Sequence, residues 1–171
     1  MRERYFCMLE QKVYELSYLS LVIGKNNKIR NILNIVTAIS TSTSIAAWAI
    51  WKSDLYIVWA SIIALSHVIQ VVRPHLWFDS HHTTLHKLEN ELSQIAIDIE
   101  KDWFFVDNEL ISAEEINNKI ANYEQLWNRV SYKYLENVKF NSENIKQIAT
   151  KRADQYIIRN FGGELENECK N

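Results

Sequence analysis

His75, Asp79, His82 and His86 recur at i, i+4, i+7 and i+11, with His81 beside them, so on a helix they make one stripe of imidazole and carboxylate. Such a donor set could bind zinc, but no cysteine joins it and no HExxH segment is present, so the stripe reads as a solvated or headgroup-level face and no metal site is assigned. Nucleophile constellations built on serine or cysteine, phosphate-binding glycine loops and paired catalytic carboxylates are missing. The chain is therefore read as non-enzymatic, with no cofactor.

A second polar set lies inside apolar sequence. Residues 31 to 51, NILNIVTAISTSTSIAAWAIW, and 55 to 72, LYIVWASIIALSHVIQVV, are separated only by Lys52, Ser53 and Asp54. In the first stretch Asn34, Thr37, Ser40, Thr41 and Ser44 fall within roughly a third of a helix circumference, opposite Ile32, Ile35, Ile39, Ala46 and Ile50. In the second, Ser66, His67 and Gln70 share a face with Tyr56, Trp59, Ala60 and Ile63. Asn34, Thr37, Ser40, Thr41, Ser44, Ile63, His67 and Gln70 are thus candidates for lining an aqueous pore, since an ionisable or polar group inside a membrane is a functional candidate by default. The same hydroxyls would equally let helices pack closely, and His67 would then be neutral and hydrogen-bonded to Asn34 or to a neighbouring hydroxyl.

A third set is a segregation of charge. Glu89, Glu91, Asp98, Glu100, Asp102, Asp107, Glu109, Glu114 and Glu115 are accompanied only by Lys101 between residues 89 and 115, whereas Arg129, Lys133, Lys139, Lys146, Lys151, Arg152 and Arg159 outnumber Glu136, Glu143 and Asp154 between 129 and 159. Two readings fit. The surfaces pair with each other within or between chains, setting helix register; or the basic face, with Arg129, Lys133, Lys146, Lys151 and Arg152 as its candidates, takes an anionic ligand.

The elements that must position these sets are all helical. Three Gly and one Pro in 171 residues leave little turn punctuation, and no useful length of sequence alternates like a strand. An amphipathic cytosolic helix is expected over residues 1–24, on Leu9, Val13, Leu16, Leu19 and Ile23, stopping at Gly24. Residues 25–74 are expected to form a two-span transmembrane hairpin. Each stretch approaches the roughly 30 Å of a hydrocarbon core at about 1.5 Å per residue. Lys25, Lys28 and Arg30 before it and Arg73 after it put both termini in the cytoplasm, at the bacterial inner (plasma) membrane, and Trp48, Trp51, Tyr56, Trp59 and Trp77 fall where interfacial rings anchor. A soluble bundle with a buried central hairpin is the rival reading.

Residues 75–160 are expected to form a cytosolic helical, coiled-coil-like head. Leu85, Leu88, Leu92, Ile95 and Ile99, continued to Val106, follow heptad spacing and supply an oligomerisation seam. After a break at Asp107 and Asn108, Ser112 and Glu115 stand in capping-box register before a helix with Ile116, Ile120, Tyr123, Trp127, Val130, Tyr134 and Val138 on one face. These two helices should pack antiparallel. A last helix from Ser142 carries Ile145, Ile148, Ala149, Arg152 and Tyr156 and ends before Gly162; residues 161–171 form a tail. At 171 residues and net charge −2, one compact unit fits and a separate catalytic domain does not. Cys7 and Cys169 are read as free thiols.

The short helix, KNNKIRN before the first apolar stretch, the tight hairpin and the QVVRP exit into a histidine-rich helix resemble the SLATT family of bacterial two-span effectors over roughly residues 1 to 160. The resemblance implies an oligomeric, pore-forming inner-membrane effector of an antiviral system, acting beside a nucleotidyltransferase or nucleotide-sensing partner and controlled by its nucleotide or oligonucleotide product or by a partner. Its expected partners are the lipid bilayer and further copies of itself, four or more, since one hairpin cannot enclose water. The alternative is a membrane-anchored helical scaffold or adaptor that recruits a protein without conducting ions.

Overall fold

The computed structural model describes residues 1–50, 56–73, 81–135 and 142–162, with the side chains at 39–50, 56, 58–60, 62 and 63 excepted. Within these residues the chain is all α, as expected. Helix α1 is Arg2–Ile50, α2 is Tyr56–Val72, α3 is His82–Asp107, α4 is Ala113–Leu135 and α5 is Glu143–Phe161. They divide into two units, one of Met1–Ile23 with Thr84–Asn171 and one of Gly24–Thr83. The N-terminal helical segment, read from sequence as an element of its own, therefore belongs to the head.

The head is a four-helix arrangement of residues 2–23 of α1 with α3, α4 and α5. Its core joins Tyr5, Phe6, Leu9 and Val13 of α1 to Ile99, Trp103 and Val106 of α3, Ile116 and Ile120 of α4, and Ala153 and Ile157 of α5. Trp103 stacks on Tyr5 with ring centroids 6.2 Å apart, meets Phe6 at 5.2 Å and Phe161 edge-on at 6.5 Å. Burial of such rings is the largest apolar contribution a small head can draw on.

Local sequence sets the helix ends. The backbone N–H and hydroxyl of Ser112 both donate to the Glu115 carboxylate at 2.9 and 3.1 Å, and the Glu115 N–H donates back to the Ser112 hydroxyl at 3.2 Å, the capping box read from sequence. Before it, Glu109 takes a left-handed φ of 53° and the Asn108 side-chain amide donates to the Phe104 carbonyl at 2.8 Å, which closes α3. Helix α5 stops at Gly162, whose φ is 77°.

Several expectations require correction. Gly24 does not end the first helix: α1 continues to Ile50, since an isolated glycine costs a helix only about 1 kcal/mol and the flanking residues are competent helix formers. The α5 face is turned from the one expected, burying Ala149, Ala153 and Ile157 and leaving Ile148 and Tyr156 exposed. Ala153 and Ile157 join the core on that side, with Phe161 packed against it. The seam residues Leu85, Leu88, Leu92 and Ile99 are buried within the single chain and Ile95 packs on its core, so they do not present an oligomerisation surface. Cys7 is disulfide-bonded rather than free; the other cysteine, Cys169, lies outside the described residues, as do Pro74, Val138 and the tail beyond Gly162. Finally, α2 is 17 residues long, and among the described residues no helix is long and apolar enough to cross a membrane, so the membrane hairpin gains no support from the fold.

Candidate functional site

The candidate residues fall in three places, the first of which is the charge lattice of the head. Asp102 of α3 meets Lys119 of α4 at 2.6 Å and accepts a hydrogen bond from the Tyr123 hydroxyl at 2.7 Å; about three turns toward the N-terminus of α3, Glu91 meets Lys133 at 3.0 Å and also accepts from the Tyr134 hydroxyl. Rising numbers on α4 thus meet falling numbers on α3, the antiparallel pairing expected. The Tyr156 hydroxyl of α5 donates to Glu100 at 2.8 Å, and Arg2 of α1 pairs with Asp107 at 2.8 Å. The acidic stripe of α3 is in this way shared out among its three neighbours. Pairing within the chain, one of the two readings of the charge segregation, accounts for Lys133 outright, and Lys146 is held 3.4 Å from Glu143 on its own helix.

Protonation states follow these contacts. Hydrogen bonds from Tyr134, then Lys133, hold the Glu91 carboxyl below its usual value, and the Tyr134 contact followed by Glu91 raises the Lys133 ammonium. Glu115 is lowered by the backbone and then the side chain of Ser112. Burial, then the Glu100 carboxylate, pushes the Tyr156 phenol up to about 12. Burial first and Asp102 second raise Tyr123 as well. Each shift favours the protonation state that its contact already requires, carboxylate on Glu91 and Glu115, ammonium on Lys133 and neutral phenol on Tyr123 and Tyr156.

The second place is a cavity of about 290 Å³ in the head, lined by Tyr14, Tyr18, Leu92, Trp127, Leu135 and Lys146 among others. Beside it Lys12 is buried on the core side of α1, where its ammonium lies 3.4 Å from Glu15 and 5.1 Å from the Trp127 ring centroid, a cation–π contact. Sequence reading missed Lys12 and Tyr5, and it placed Tyr123, Tyr134 and Tyr156 on helix faces without their cross-helix hydroxyl partners. The signal was available: Lys12 falls at i+3 from Leu9 and adjoins Val13 on the apolar stripe, and Tyr123 and Tyr134 stand on the apolar face of α4, where an amphipathic side chain must turn its polar end toward a partner.

No known protein family, curated protein or solved structure matches this chain.

The third place is the Gly24–Thr83 unit. Asn34, His67 and Gln70 are exposed, Thr37 is half-buried and Ser66 is buried, while the side chains of Ser40, Thr41, Ser44 and Ile63 lie outside those described. Among the described residues, Asn34, His67 and Gln70 are thus not gathered into a closed core within one copy. Ile32, Ile35, Ile57, Leu65, Val68 and Val71 of the same unit are each 57–70% exposed. Among the described residues no cluster of His, Cys, Asp or Glu could hold a metal, and His86 of the histidine stripe faces Glu89 at 3.4 Å; His75 and Asp79 lie outside the described residues. Of the anionic-ligand candidates, Arg129, Lys151 and Arg152 point into solvent.

Proposed function

We propose that the chain is a membrane effector: the Gly24–Thr83 unit seats in a bilayer, four or more copies assemble through it so that the polar stripes of residues 34 to 70 enclose an aqueous path, and the head controls that assembly. The observation that supports this reading is the exposed aliphatic surface of Ile32, Ile35, Ile57, Leu65, Val68 and Val71. Six large aliphatic side chains in one small unit make a surface that water does not favour and lipid does. It also speaks against the soluble bundle, which required those side chains to be buried by their own chain. A 17-residue α2 reaches about 26 Å, short of a typical core by an amount that local thinning accommodates at modest cost. The flanking Lys25, Lys28, Arg30 and Arg73 favour an inner-membrane protein with both ends cytoplasmic. The layout shared with SLATT effectors adds an antiviral setting and a nucleotide or oligonucleotide signal, or a partner protein, as the trigger.

A second reading, the membrane-anchored adaptor, is favoured by the exposed Phe104, Phe105 and Leu110 on the head, which are suited to recruiting a protein. Flotation with anionic vesicles and release of a trapped dye separate the possibilities. The effector floats and releases dye, and a Thr37, Thr41 and Ser44 to Leu triple variant floats but no longer releases it. Flotation without release by the wild type supports the adaptor. A chain that stays in the aqueous phase overturns both.

A further inference from the structure

Once the internal pairs are made, two surfaces of the head carry both charge and exposed apolar side chains. On α5, Ile148, Lys151, Arg152, Gln155, Ile158 and Arg159 lie on the face opposite Ala149, Ala153 and Ile157, and all six are exposed. Ile148 and Ile158 are 49% and 47% exposed, and the face holds three cations and no acid. On the outer side of α3 and its turn into α4, Phe104, Phe105 and Leu110 are 60%, 44% and 61% exposed, with the two rings edge-to-face at 5.6 Å. Exposed Glu109 and Glu114 flank them. The α5 surface is an apolar centre with a cationic rim; at the corner Lys101 and Arg2 are engaged by Asp98 and Asp107, which leaves Glu109 and Glu114 as the charges beside its apolar centre.

We propose that these two surfaces dock on each other between copies, the α5 face of one head seating on the α3–α4 corner of the next. The occupant is a second copy because the chain itself supplies both halves of a complementary contact, apolar against aromatic and Lys151, Arg152 and Arg159 against Glu109 and Glu114. A contact between two different patches is head-to-tail, and it closes a ring or propagates rather than stopping at a dimer. That is the arrangement an assembled effector needs, and it replaces the Leu85–Ile99 seam, which is used up inside the chain. The inference rests on the assembly part of the proposed function and on no other part of it.

Charge exchange on the full-length protein in detergent tests it, with molar mass read by light scattering or sedimentation and helicity checked by circular dichroism. Lys151→Glu with Arg152→Glu, or Glu109→Lys with Glu114→Lys, sets like charges against each other in a self-contact and weakens association about a hundredfold. Mixing the two variants restores association, because each in alternation offers the other its complementary half, and a chain carrying all four exchanges assembles with itself to the wild-type mass. Wild-type association also weakens as salt rises. A monomeric wild type, a two-site variant that keeps the wild-type mass, a mixture that does not associate, or a four-exchange chain that does not recover the wild-type mass overturns the contact. So does loss of vesicle flotation by the Lys151→Glu and Arg152→Glu variant with its mass unchanged, which would assign α5 to the lipid headgroups. Vesicle flotation and dye release by the wild type report on the membrane reading separately.

Discussion

The two units of this molecule use the same material in opposite ways. In the head every helix turns its apolar stripe toward three others, and the acids of α3 find Lys119, Lys133, Tyr123, Tyr134, Tyr156 and Arg2 within the chain. In the Gly24–Thr83 unit, Ile32, Ile35, Ile57, Leu65, Val68 and Val71 remain exposed. The head has enough helices to cover its own apolar stripes, whereas these six side chains of the other unit are left uncovered by the described residues of the chain. Where a fold leaves apolar surface uncovered is thus a better guide to what it binds than where polar residues cluster.

The contrast is broken most directly in the head core. Trp103→Ala removes the ring that joins Tyr5, Phe6 and Phe161 and should cost about 3–5 kcal/mol in chemical denaturation. Val68→Ala and Leu65→Ala in the other unit, being more than half exposed, should each change stability in detergent by under about 0.5 kcal/mol. A loss above about 2 kcal/mol at Leu65 would mean that this unit has a packed interior of its own.

A smaller effect sharpens the contrast at Ser112. Its capping box is complete, and Ser112→Ala should lower head stability by about 1 kcal/mol through loss of the start of α4. Unfolding monitored at the head tryptophans should shift while vesicle flotation stays unchanged.

The smallest expected effect is on pH dependence. Glu91 has its carboxyl pKa lowered by Tyr134 and Lys133, so its contribution is fully present above the ordinary carboxylate value of 4.5 and is lost as pH falls below it through the folded value. Tyr156 works in the other direction. Its raised pKa gives stability that is present below the ordinary value of 10.0 and lost as pH climbs through about 12. Melting curves of Glu91→Gln should be flatter than wild type on the acid side alone, and those of Tyr156→Phe on the alkaline side alone. Identical profiles for wild type and variants would show that these exposed pairs contribute nothing measurable.

Much of the head was legible in the sequence because its signals are local. Ser112 and Glu115 mark a helix start by their spacing alone, Gly162 marks an end, and the 3,4 spacing from Leu85 to Val106 specifies a stripe. What a stripe cannot specify is who covers it. Leu88 and Ile99 read the same whether they meet another copy or the same chain, and the answer came from the return of α1 into the head. The α5 face differs from expectation for a related reason: Ile148 and Tyr156 are more apolar than Ala149 and Ala153, yet the side that carries Ile157 and Phe161 is the one that reaches Phe6 and Trp103. Gly24 was misread because a C-terminal cap and a tolerated interior glycine share one letter and differ by a dihedral angle. Of the polar candidates between residues 34 and 70, Asn34, His67 and Gln70 lie on an outward surface, and no pattern within one helix could say whether another helix, another copy or lipid lies against it.

That return of α1 has a consequence for how the protein is made. The head is discontinuous along the chain, with its first strip at Met1–Ile23 and its remainder after Thr84. Phe6, Leu9 and Val13 leave the ribosome well before Ala153 and Ile157, the last of their core partners. At the usual pace of synthesis that interval is on the order of ten seconds, during which the apolar stripe of residues 2–23 is without its final cover. The nascent chain is therefore most exposed to chaperones, targeting factors and aggregation before its head can close, and whatever engages residues 24–83 must do so while the head is still open.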